Sequence, residues 1–191
     1  MYNMDWTWWL EDAYFLYPPG DPECLKYHYI TKTAEDEPKL TIEQETELMN
    51  EQIEESEGFD IDFSMFRSLF NYHLVDPDDH DFLDEPETDG DLMKKLSQES
   101  IKRYNEESET RFEFVEVVKA NYHCAAGYII LVTFDVLDPS DNKKKTFQAR
   151  IYYSSHYPTE YVFVRLKPNK EGHCDGISEE DVSKGISNVH L

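Results

Sequence analysis

Cysteine, histidine and carboxylate side chains are the residues here that could do chemistry. Cys24, Cys124 and Cys174 are an odd set with no CxxC pair among them, which argues against a disulfide framework or a structural zinc site. Cys124 follows His123, and Asp135 lies a little further on, so a nucleophile, a base and an orienting acid are all at hand. Their spacing works against that reading. Adjacent residues on a strand point to opposite faces, whereas a thiolate–imidazole dyad brings its partners together from distant segments. Cys124 therefore reads as a small loop residue, and the chain as a non-enzyme with no catalytic residues. A second candidate is the run DPDDHDFLDEPETDGD, from Asp76 to Asp91. Its oxygen ligands suit a hard cation, but a calcium loop opening at Asp76 places Asp81 where the sharp turn needs glycine and His80 at the preceding ligand position. A solvated acidic linker fits better, and neither metal nor cofactor is expected.

Charge is divided unevenly along the 191 residues, whose formal net charge is −23. Met1 to Asp91 carries 26 acids against 4 bases, and the remainder carries 15 against 14. Such a surface repels polyanions, so nucleic acid and anionic membranes are not expected partners. No apolar run approaches a membrane span, and no N-x-S/T sequon occurs. The opening MYNMDWTWWLEDAYF lacks a basic start and a small-residue cleavage site, so no signal peptide is read and an intracellular location, cytoplasm or nucleus, is expected. Trp6, Trp8, Trp9, Tyr14, Phe15 and Tyr17 need cover, either from the body of the protein or from a docked partner.

Thr41 and Gln44 form a capping-box pair at the head of a helix that Gly58 stops, with Ile42, Met49 and Ile53 near one stripe. Beyond Asp91, the apolar residues Leu92, Met93, Leu96, Ile101 and Tyr104 recur at helical spacing as far as about Asn105. Four strand-like runs follow: Phe112 to Ala120, Gly127 to Val136, Thr146 to Tyr153 and Tyr161 to Leu166. Their short connections suit antiparallel hairpins, with Asp138 to Asn142 the clearest turn. The expected fold class is α+β: one long helix packed in a curled antiparallel sheet of four to five strands. Residues 1–90 form an acidic, aromatic-rich and partly helical extension, residues 91–170 the main domain, and residues 171–191 a flexible tail.

The run SIKRYNEESETRFEFVEVVKANYHCAAGYIILVTFDV, Ser100 to Val136, closely resembles the helix, first long strand, first loop and second strand of plant cystatins. Arg103-Tyr104-Asn105, Phe112-Glu113-Phe114 and Val117-Val118-Lys119-Ala120 occupy the family's corresponding positions, and the likeness continues weakly through KKTFQARIYY. The acidic leader, with Glu57-Gly58-Phe59-Asp60-Ile61-Asp62, resembles the extension of the plant cystatin-related group. The resemblance implies a cystatin-like fold and inhibition of papain-like cysteine proteases through a wedge of an N-terminal strand, a Gln-x-Val-x-Gly loop and a Pro-Trp loop.

Carried over, the first protease-binding loop is His123, Cys124, Ala125, Ala126 and Gly127, with His in place of Gln and Ala in place of Val. The glycine survives, and its access to positive φ is expected to let the turn form. Losing two methyl groups removes on the order of 1–2 kcal/mol of interface burial. The second loop is Ser154, Ser155, His156 and Tyr157, followed by Pro158, without the family's tryptophan anchor. No glycine stands where the leading strand's should. The expected function is a cysteine protease inhibitor with degenerate loops; the alternative is a non-inhibitory protein-interaction module on the same scaffold. The expected partner is a papain-like protease or another protein, and a homodimer that swaps its first strands is compatible with this order of elements.

Overall fold

The computed structural model describes residues 11–154 and 156–168. Trp6, Trp8, Trp9, Ser155, Cys174 and the 171–191 tail lie outside the described residues. Thr41 caps α1 (Ile42–Ser56): its hydroxyl accepts from Gln44 N while the Gln44 side chain accepts from Thr41 N. Glu57 and Gly58 then turn left-handed, at φ 55° and 79°, and stop the helix. The second helix, α2 (Asp89–Ser108), is longer at both ends than its periodicity predicts. Thr88 and Asp91 form another capping box and start it early, and Glu109 at φ 54° closes it. At 20 residues it is about 30 Å long.

Two strands precede α2 on the way from α1 and a third precedes α1. β1 (Phe15–Tyr17) and β2 (Leu69–Phe70) form a small antiparallel sheet. β3 (Tyr72–Leu74) joins the main sheet with β4 (Glu113–Cys124), β5 (Tyr128–Asp138), β6 (Lys143–Tyr153) and β7 (Glu160–Leu166). The order is β3-β4-β5-β6-β7, antiparallel throughout. The α+β class and the antiparallel sheet stand as expected, with a two-stranded sheet and a short first strand added.

Each face of the main sheet carries a packed layer over its centre. Leu92, Met93, Leu96 and Ile101 of α2 meet Ile130, Val132, Phe134 and Val136 of β5 and Phe147, Ala149 and Ile151 of β6. Against the other face, Ile129 and Leu131 of β5 pack with Met49 and Ile53 of α1 and with Phe59, Phe66, Phe70 and Tyr72. This explains why β5 reads as a nearly unbroken apolar run: a strand covered on both faces has no solvent side to alternate toward.

The charge boundary near Asp91 is crossed by structure. Glu57 pairs with Arg165 at 2.7 Å, and Asp60 pairs with Lys119 at 2.6 Å and Lys167 at 3.0 Å. Asn121 Nδ2 donates to Gly58 O and Phe59 O. Gly58 is confined twice over, because a Cβ there would lie 2.7 Å from Leu131 Cδ1. The stretch after Asp76 is folded rather than a free linker. Asp89 is buried and accepts from Asp81 N and Phe82 N, while Phe82 lies edge-on to Tyr122 and Tyr128, 4.9 Å between centroids in each case.

Candidate functional site

β4 and β5 are joined by a three-residue loop, Ala125 to Gly127, held by Ala125 N donating to Gly127 O at 2.7 Å. The expectation of a positive φ at Gly127 is corrected: among the described glycines only Gly20 and Gly58 lie there. Glycine serves a different need at 127. A Cβ at this position would lie 2.8 Å from Tyr153 O, 3.1 Å from the Tyr152 hydroxyl and 3.2 Å from Ser154 Cβ. The first loop is thus pressed against the start of the second, and Tyr152 Oη donates to Ala126 O at 3.2 Å. Sequence spacing carries no signal of this contact, because it joins residues about 26 apart through the register Tyr128–Tyr153.

The first-loop residues divide sharply. Cys124 is exposed at the end of β4, while His123 is fully buried. The His123 ring lies 4.7 Å from that of Tyr72, and its Nδ1 is 3.1 Å from a Glu11 carboxylate oxygen. Burial, reinforced by Arg150, pulls its pKa down to about 4. Its Nε2 is buried without a hydrogen-bond partner. Tyr72 Oη also donates, at 3.0 Å, to Glu11 O, so one residue of the leader secures both neighbours. Sequence reasoning missed the contacts of Glu11 and Tyr72 with the loop, since nothing in the spacing links position 11 to position 123.

Tyr72 pairs with His123 in the β3–β4 register, so the entry to β3 is level with the first loop. Leu69, Phe70, Asn71 and Tyr72 are each about 1% exposed, covered in part by β1, whose neighbour Tyr14 exchanges hydrogen bonds with Asn71. On the other side, Ser154 is half-buried and His156 exposed, with His156 N donating to Ser154 Oγ at 3.2 Å. Tyr157 is 65% exposed. A shallow cavity of about 790 Å³ opens between Ala126, Tyr152, Tyr157, Pro158 and Tyr161, with Arg103 stacked over the Tyr161 ring at 4.4 Å.

The Cys–His–Asp set is not brought together. Asp135 lies six residues beyond Ile129, the partner of His123, which is about 20 Å along the strand. Its carboxylate accepts from Thr146 Oγ1 and meets Lys144 at 2.9 Å. Burial and the Glu11 carboxylate push the Cys124 thiol up, away from the reactive thiolate. Among the described residues no group of three or more His, Cys, Asp or Glu side chains is arranged to hold a metal ion. No helix among them is long and apolar enough to cross a membrane.

No family model matches the chain. A UPF0725 protein of Arabidopsis thaliana is 26% identical over 146 residues, 70% of this chain. The chain spans 38% of the length of that relative.

Proposed function

We propose that the chain is a non-catalytic protein-interaction module on a cystatin-like scaffold, with the paired hairpin loops as its contact edge. The burial of His123 carries this reading. The side chain that stands in the first position of the loop is turned inward onto Tyr72 and Glu11, so the first loop's outward surface is Cys124, Ala125 and Ala126, beside the exposed His156 and Tyr157 of the second. A strand, a helix and four sequential strands, with the helix against one sheet face, support the scaffold. The covered entry to β3 supports the same reading, because a protease wedge would need its leading strand exposed beside the two loops.

Inhibition of papain-like proteases is the second reading. It is favoured by the adjacency of the two loops, which sets Ala125, Ala126 and Tyr157 along one edge. A titration against papain separates the two. The module reading expects an unchanged hydrolysis rate at about 10 µM protein, a concentration that saturates any micromolar inhibitor. A dose-dependent fall in rate rejects it in favour of inhibition. For a captured partner, Ala126→Arg combined with Tyr157→Ala is expected to abolish binding without lowering the melting temperature.

A further inference from the structure

β4 is 12 residues long, but β3 covers only Asn121 to His123, with one further bond from Val75 N to Ala120 O. Among the described residues no strand lies against Glu113 to Lys119 on that side. These residues therefore present an open sheet edge beside a groove of about 550 Å³ lined by Leu74, Val75, Met93, Phe114, Val117 and Ala120. Two irregularities in the β4–β5 register leave Val115 and Val118 without opposite residues, and they are 44% and 53% exposed. Edge strands are guarded by charged side chains, by proline or by bulges that twist them away, and of these the stretch carries two bulges and two glutamates. The lysine of this stretch, Lys119, already meets Asp60 at 2.6 Å, and the stretch has no proline.

We propose that this edge pairs antiparallel with the same edge of a second copy of the chain, joining two five-stranded sheets into one of ten strands. Its charge pattern is self-complementary. Residues opposite β5's Leu137, Asp135 and Thr133 share one face, and they are Glu113, Glu116 and Lys119; Phe114 and Val117 share the other. A two-fold axis through Glu116 sets Glu113 twice against the second copy's Lys119, which it shares with that copy's Asp60, and Phe114 twice against its Val117. The two Glu116 side chains meet at the axis, each already paired with its own Lys144 at 2.7 Å. Two copies at net charge −23 repel at long range. Lys94, Lys119 and Lys144 stand around the two glutamates of this stretch and offset part of that repulsion, and added salt, which screens the rest, strengthens the pairing.

Sedimentation velocity of the full chain tests this. At about 100 µM the mass is expected to double, and raising the salt roughly tenfold shifts the midpoint to lower concentration as the Debye length contracts. Val115→Lys with Val118→Lys, both at exposed positions, is expected to stay monomeric with an unchanged far-ultraviolet circular dichroism spectrum. Glu113→Lys, which sets like charges opposite, weakens association by at least roughly tenfold. A wild-type chain monomeric at this concentration overturns the proposal. So does a dimer that survives the double substitution, which is the behaviour of exchanged strands or of another surface.

Discussion

Gly127 shows how a residue can be kept by packing rather than by its own backbone angle. A methyl group there would sit 2.8 Å from the Tyr153 carbonyl oxygen, too close without a backbone shift, and would press tightly on the Tyr152 hydroxyl and Ser154 Cβ. Gly127→Ala is therefore expected to cost about 1–3 kcal/mol through overpacking, read from the denaturation midpoint, and to move the second loop. An unchanged midpoint contradicts the close apposition of the loops. The buried histidines give a second expectation. His73 stacks on Tyr27 and shares a 2.9 Å hydrogen bond with the Tyr29 hydroxyl, and burial brings its pKa from 6.5 down to about 4. The unfolded chain thus takes up a proton first as pH falls, so the stability tied to neutral His73 is whole above pH 6.5 and drains between 6.5 and 4. Over that range the wild-type chain is expected to lose more stability than His73→Gln, by on the order of 1–3 kcal/mol. Equal losses in urea titrations at the two pH values contradict this.

Among the elements, the two helices were legible because their signals are local. The capping box at Thr41 acts within one turn, and the stripe from Leu92 to Ile101 repeats at the helical period, whereas the second box, at Thr88, came to light only in the structure. β1, β2 and β3 were not legible. Each has only two or three residues, too short for alternation to register, and each exists because a distant strand supplies its hydrogen bonds. The seat of α1 is equally non-local. Arg67 Nε donates to Glu45 at 2.8 Å and Ser68 N donates to its other oxygen at 3.0 Å, both out of solvent. Glu45→Ala leaves that guanidinium buried without its counter-charge and is expected to cost about 3–5 kcal/mol, the range for breaking a buried pair from one side. Thermal unfolding within a degree or two of wild type contradicts this.

Across the whole molecule, the acidic leader serves as a layer of the fold. It covers Ile129 and Leu131, supplies β3, and matches Glu57 and Asp60 to Arg165, Lys119 and Lys167. Burial alone would raise the Asp60 pKa, but the two lysines outweigh it and hold the carboxyl below its ordinary value. A chain reduced to residues 91–170 exposes that sheet face and strands Asn121, whose amide donates to Gly58 O and Phe59 O. It is expected to aggregate or to melt well below the full chain. A soluble fragment of equal melting temperature contradicts the layered arrangement.

Read alone, the sequence determined what depends on neighbours along the chain: two helices, the first with its cap, four antiparallel strands, the turn at Asp138 to Asn142, and the division into an acidic half and a balanced one. Only the tertiary structure decided which of the loop residues face outward. His123 and Cys124 are adjacent and chemically plausible together, yet strand geometry sends them to opposite sides, and a carboxylate 112 positions away secures one of them inside. That contact depends on where the chain returns in space, and residue order alone does not encode it.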